Sequence, residues 1–270
     1  RRLHLSGPVA PRGRAEKTLI FYEDCMEPIR KAAKRMMDIL GLDGSPVGVR
    51  LLGVGVPPPG GVEKLQQHRY CQALMRARRG RHVLLDGEQL ACPAAAAAFG
   101  FRPLTEALRS GKGLVGFGIV SDPAVGRTMF EGMPRLEPGR VSLLHLYPLD
   151  EAREAPDLVV VEDEAEKLMW IALAALHAAK GRRLRGSTAV LQAVCVDSTI
   201  IPFLEDRLNF GLGCYGCREA TDIAAGETVV GFPERLLPPI VEHLEFLAKR
   251  AMPNCRQKKA LHMLERRDTV

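Results

Sequence analysis

The stretch "NFGLGCYGCREATD" (209–222) sets Cys214 and Cys217 three residues apart, among glycines and ahead of Arg218. A Cys-x-x-Cys on such a turn can clip a soft metal or form a dithiol redox pair. Gly211, Gly213 and Gly216 let the backbone turn sharply and present amide N–H groups to sulfur. A clip supplies two ligands, so a four-thiolate site must draw two more from elsewhere. Cys71 lies early on an expected helix, and Cys92 stands just before Pro93 at an element boundary. Arg69 and Arg218 flank this set, and positive charge lowers a thiol pKa.

The donor types narrow the metal. A structural zinc site wants two close pairs, or a pair with neighbouring histidines. This chain offers one pair, and the nearest useful imidazole is His68, three residues before Cys71. Four dispersed cysteines suit a [4Fe–4S] cluster better, with zinc as the second choice. A thioredoxin-type pair normally opens a helix after a strand, and the residues around Cys214 support that only weakly. Cys25 and Cys255 sit in or near basic helical segments and read as incidental. Cys195, in "LQAVCVD", reads as a buried strand thiol, with a ligand role as the lesser reading. Asp197, Ser198 and Thr199 follow it as a polar wall of a pocket. "GKGLVGFG" (111–118) lacks the phosphate-loop spacing and reads as a linker or lid. "ALMRARRGR" reads as a solvated basic helix end, and "VVVEDEAEK" as acidic capping of a helix start.

Composition excludes several classes. With 270 residues, 46% apolar and 26% charged, the chain reads as globular. No apolar run reaches the length of a membrane span, and the basic N-terminal stretch lacks the apolar segment of a signal peptide, so a cytoplasmic protein is expected. Seven cysteines, an odd number in a chain of this size, argue against a disulfide scaffold. The net charge of +6 is concentrated at the two ends, and only 5% of residues are aromatic. Both facts weigh against nucleic acid as a partner.

The elements that must position the cysteines follow from periodicity. Residues 1–22 read as a loosely held basic tail, 23–250 as one globular domain and 251–270 as a basic C-terminal segment. Helices are expected over about 23–40, 62–80, after Pro93, within "RPLTEALRSG", over 164–181 and from Pro233. Strands are expected in "SPVGVRLLGVGV", "RHVLLDGEQL", "RVSLLHLYPL", "PDLVVVED" and "STAVLQAVCVD". "GKGLVGFGIVSDPAVGRTMFEGMP" reads as a looser connection. Each half (about 42–110 and 141–218) runs strand, helix ending in Gly, strand, then a cysteine before a turn. The expectation is an α/β single mixed-sheet domain built from two weakly similar strand–helix–strand halves, with pseudo-two-fold symmetry and a site at the seam.

In order, "GLDGSPVGVRLL", "RYCQALMRARRGRHVLL", "LACPAAAAAFGF", "PLDEAREAPDLVVV" and "NFGLGCYGCREATD...ETVVGFPERLLPPIVEHL" resemble the proteins grouped as domain of unknown function 169. The resemblance runs from about residue 23 to 250. It implies recurring cysteines at Cys71, Cys92 and Cys214, a Gly-Cys-x-Gly-x-Arg turn at Gly213, Cys214, Gly216 and Arg218, and a setting in methanogens and other anaerobes. The resulting expectation is an iron–sulfur protein of anaerobic metabolism, with a [4Fe–4S] cluster on Cys71, Cys92, Cys214 and Cys217. Arg218 would tune the cluster or hold an anion, and the partner would be a small anionic molecule or a redox protein. Two other readings stand beside it: an accessory protein with structural zinc or free thiols, and a metal-free enzyme with a cysteine nucleophile.

Overall fold

The computed structural model describes residues 13–267, with side chains over 26–266. In chain order the first half comprises α1 (Gly13–Leu40), β1 (Val47–Leu52), β2 (Glu63–Lys64), α2 (Tyr70–Arg78), β3 (Val83–Asp86), α3 (Pro93–Ala98), α4 (Glu106–Arg109), α5 (Lys112–Gly116) and α6 (Pro123–Glu131). Then come β4 (Leu143–Pro148), β5 (Leu158–Glu164), α7 (Ala165–Ala178), a π-helix (Ala193–Ile200), α8 (Ile201–Glu205), β6 (Asn209–Gly211), α9 (Tyr215–Ala220), β7 (Glu227–Pro233), α10 (Leu237–Lys249), α11 (Ala251–Arg256) and α12 (Lys259–Arg267). The seven strands form one mixed sheet in the order β2-β3-β4-β1-β5-β7-β6. Only the β2–β3 pair is parallel.

Alternation along the central strands splits the core into two layers. Val47, Val49, Leu144, Leu146, Leu158, Val160 and Val229 face α2, α3 and the π-helix. Tyr147, Val159, Val161, Val230 and Phe232 face α1, α7 and α10. The expected α/β mixed-sheet domain is what forms. The two sequence halves share only part of their element order: β1 and β5 are adjacent antiparallel strands, and α2 and α7 each run into a glycine with positive φ, but a strand (β3) follows α2 where the π-helix follows α7. The halves also lay α2 and α7 on opposite faces. Only a two-fold axis normal to the sheet exchanges adjacent antiparallel strands, and it would keep both helices on one face. The likeness therefore stops at a strand and a glycine-ended helix, without the two-fold.

Other elements differ from the sequence reading for local reasons. The helix expected over 62–80 begins only at Tyr70, because Glu63 and Lys64 pair with Val83 and Leu84. The helix expected over 23–40 is the end of a longer one that begins at Gly13, while residues 1–12 lie outside the described residues. The "looser" connection contains α5 and α6. The largest departure is "STAVLQAVCVD". Its β-branched residues suggest a strand, yet Ala193–Ile200 winds into a π-helix with every residue buried. Two glycines make this possible. A Cβ on Gly231 would lie 1.7 Å from the Ser198 carbonyl oxygen, and one on Gly211 2.6 Å from that of Ala193. The π-helix backbone thus rests directly on β6 and β7, where a side chain would hold it off. Thr199 donates from Oγ1 to the Val194 carbonyl at 2.8 Å, and Tyr70 Oη shares a hydrogen bond with Thr199 Oγ1 at 2.9 Å. Asn209 Nδ2 donates to the carbonyls of Asp197 and Ser187, both at 2.8 Å.

A buried ion cluster ties α2 to β5 and β7 on one face of the sheet. The basic helix end expected to be solvated contains Arg78, which is 3% exposed. Its Nη1 donates to Glu162 at 3.0 Å, its Nη2 to Glu227 at 2.7 Å and its Nε to the Asp43 carbonyl at 2.8 Å. Burial pushes the Glu162 carboxyl up to about 7, against the pull of Arg78. Between its ordinary pKa and that value, the folded chain holds a proton that the unfolded chain has lost. The Glu162 contribution to stability therefore declines as pH rises through that window.

Two stability measurements test this frame. Arg78→Met strands two buried carboxylates and should cost about 3–5 kcal/mol in urea unfolding, whereas the exposed Arg79→Met, paired with Asp222, should cost under about 1 kcal/mol. Equal losses would contradict the buried cluster. Gly231→Ala should cost about 3 kcal/mol by forcing the π-helix off the sheet, and a neutral result would contradict the backbone contact.

Candidate functional site

The sheet face covered by α2, α3 and the π-helix carries a cavity of about 240 Å3, and five cysteines line it: Cys71, Cys92, Cys195, Cys214 and Cys217. They arrive from four stretches of chain. Cys71 is the second residue of α2 and Cys92 precedes the first residue of α3. Cys195 lies in the π-helix, Cys214 precedes the first residue of α9, and Cys217 lies within α9. Of the remaining cysteines, Cys255 is exposed on α11 and the side chain of Cys25 lies outside the described residues. The cluster therefore contains all four cysteines expected from the sequence, plus Cys195. Cys195 looked like strand packing because its flanking valines mimic a strand. The π-helix turns its sulfur into the cavity wall instead.

Arg69 and its neighbours bolt α9 onto α2. Arg69 Nη1 donates to the Gly216 carbonyl at 3.0 Å and pairs with Glu219 at 2.5 Å. Gln72 Nε2 reaches the Ala220 carbonyl at 3.2 Å, and Arg79 pairs with Asp222 at 2.6 Å. Arg69 lines the cavity, and its positive charge faces Cys71 and Cys92. Arg218, expected to hold an anion there, does not. Its guanidinium donates to the carbonyls of Leu212 (2.7 Å), Ala224 (2.9 Å) and Glu227 (3.0 Å), so it fastens the loops around α9. Gly213 serves that loop with φ of +78° and packs beside the Arg218 guanidinium. Gly216 lines the cavity, and a Cβ there would sit 4.0 Å from Cys214 Sγ. That glycine keeps one side of the sulfur open. His68 turns its Nδ1 to the Gln66 carbonyl at 2.6 Å and does not line the cavity. Asp197, Ser198 and Thr199 lie buried behind the wall rather than on it. The glycine-rich 111–118 segment supplies Leu114 and Phe117 to the cavity lining, with Phe117 largely exposed.

Three of the thiols, Cys195, Cys214 and Cys217, are poorly ionised. Cys214 Sγ lies 3.1 Å from Cys217 Sγ. That hydrogen bond and burial push the Cys214 thiol well above the ordinary range. For Cys217 the same bond acts to lower the pKa, but contact with Cys71 and burial outweigh it and leave it at about 12. Burial, reinforced by Cys92 and Cys214, pushes Cys195 up as well, and its Sγ donates to the Gln192 carbonyl at 3.7 Å. Without a cation these sulfurs are protonated and poor nucleophiles at neutral pH. Among the described residues, no three His, Cys, Asp or Glu side chains converge tightly enough to hold one metal ion. The thiols surround a space instead of focusing on a point. A larger groove of about 920 Å3 opens beyond Phe130, but no cysteine lines it. Two of its arginines, Arg102 and Arg135, are committed to the carbonyls of Leu90 and Phe130.

Comparison with known proteins bears on this geometry. The profile of domain of unknown function 169, described as uncharacterised ArCR, matches residues 35–243. The chain belongs to this family. An uncharacterised protein of Methanocaldococcus jannaschii is 31% identical over 220 residues, covering 80% of this chain and 94% of that one. No solved structure matches at a significant level. Among the described residues, no helix is long and apolar enough to cross a membrane.

Thiol reactivity checks the electrostatics. In reduced, metal-free protein at pH 7, iodoacetamide should label Cys255 at least about tenfold faster than Cys214 or Cys217. The slow rates should rise about tenfold per pH unit, because only the thiolate attacks. Labelling of Cys214 as fast as Cys255 at pH 7 would contradict the assigned environment.

Proposed function

We propose that this family member is an iron–sulfur protein of redox metabolism, with Cys71, Cys92, Cys214 and Cys217 holding a [4Fe–4S] cluster in the 240 Å3 cavity. The observation that carries this reading is the convergence of cysteines from four separate stretches on one cavity. Thiols buried only for packing have no reason to meet. The cavity is smaller than the roughly 300–1,000 Å3 that organic ligands occupy, which favours a compact inorganic group. Zinc is the second choice, because the donors are one close pair and dispersed cysteines rather than two close pairs. A metal-free enzyme whose cysteine nucleophile works at neutral pH is disfavoured by the raised pKa values.

The chain's own residues supply the rest of the setting. When bound, the cluster would supply one-electron transfer. Leu108, Leu114, Ile119, Phe130 and Val194 would give the cluster an apolar wall. Arg69 places a positive charge beside Cys71 and Cys92, where it offsets the charge that four thiolates bring. Loading must drive off the thiol protons, so cluster affinity rises with pH. Cys195 is assigned outside the ligand set, since its proton is held by the Gln192 carbonyl. Anaerobically reconstituted protein should carry about four iron and four acid-labile sulfide per chain. Cys71→Ser, Cys92→Ser, Cys214→Ser and Cys217→Ser should each lose most of both, and Cys195→Ser should keep them. Zinc without iron, or full iron retention by Cys214→Ser, would overturn the assignment.

A further inference from the structure

The Cys214–Cys217 pair has a second chemistry that needs no metal. Residues 209–220 run strand, glycine turn, helix: β6 ends at Gly211, Gly213 turns the chain, and α9 opens at Tyr215. A strand followed by a helix that the first cysteine opens is the usual setting of a thioredoxin-type pair, and it is hard to read from the residues because β6 is only three residues long. The two sulfurs stand 3.1 Å apart, about 1 Å from the bonded distance of roughly 2.05 Å. They also differ in access. Cys214 is half-buried at the cavity mouth beside the exposed Leu212 and Tyr215, while Cys217 is 4% exposed behind it. We propose that, in the metal-free chain, Cys214 and Cys217 form a dithiol–disulfide couple that reduces small-molecule disulfides. The Cys214 sulfur attacks one sulfur of the external disulfide, forming a mixed disulfide and releasing one thiol. The Cys217 sulfur then attacks the Cys214 sulfur, closing the internal disulfide and releasing the second thiol. The external disulfide gains two electrons and two protons, which leave the two cysteines. This activity goes beyond the cluster reading and excludes it at any one moment, since both states use the same two sulfurs.

The test uses metal-free, full-length protein, reduced and freed of reductant, incubated with oxidised glutathione at pH 9. The product is read by peptide mapping and by glutathione released. The wild type should release two glutathione per chain from this pair and lose two hydrogens from the peptide bearing residues 214 and 217. Cys217→Ser should stop halfway, with one glutathione released and one retained on Cys214. Cys214→Ser should form no internal disulfide at residue 217 and should cut glutathione release from this peptide at least tenfold. Exposed Cys255 reports that the reagent is active. A wild type that retains a glutathione adduct on Cys214, or that links Cys71 to Cys217, would overturn the proposal. So would absence of reaction at the pair while Cys255 reacts. Iron analysis of the same preparation before metal removal separates this outcome from failure of the cluster assignment.

Discussion

The contact between the π-helix and two strand glycines governs the rest of the site. At Gly231 and Gly211 the sheet offers bare backbone, and the carbonyls of Ser198 and Ala193 press into the space a methyl would take. That approach sets the height of Cys195 and Gln192 above the sheet. Tyr70, hydrogen-bonded to Thr199, transfers the same height to the start of α2 and so to Cys71. Arg69, Gln72 and Arg79 then carry it to α9 and its two cysteines. One backbone contact thus propagates through a short chain of hydrogen bonds to four of the five sulfurs.

The resulting site is held in a state that resists ionisation. Burial and mutual hydrogen bonding keep the thiols of Cys195, Cys214 and Cys217 neutral. A positive group, whether iron or another soft cation, would reverse that balance by displacing protons and stabilising thiolates. The protein's own cation at the cavity, Arg69, is shared with Glu219 and so offsets only part of the charge that the thiolates would bring. The geometry is therefore better matched to receiving charge than to generating a free nucleophile.

Much of this was legible in sequence, for identifiable reasons. The long apolar runs of β1, β4 and β5 and the periodicity of α7 and α10 announce themselves, because burial on a sheet face demands those patterns. Cys214 and Cys217 stand out by spacing, and Cys71 and Cys92 by position at element ends. What was not legible depended on contacts between distant residues. The π-helix reads as a strand until Gly211 and Gly231 are placed beneath it. Cys195 reads as packing until that helix turns it into the cavity. Arg218 looks like a site cation, and Arg78 like a solvated one. The first is spent on three carbonyls, and the second on two buried carboxylates, none of which local sequence reveals.

The most direct test of the central claim is the iron K-edge X-ray absorption spectrum of anaerobically reconstituted protein. The account predicts iron in an all-sulfur environment with other iron atoms as near neighbours, and loss of that signature in Cys92→Ser, whose cysteine is remote in sequence from the Cys214–Cys217 pair. Iron bound by oxygen and nitrogen alone, or a spectrum unchanged by Cys92→Ser, would contradict it.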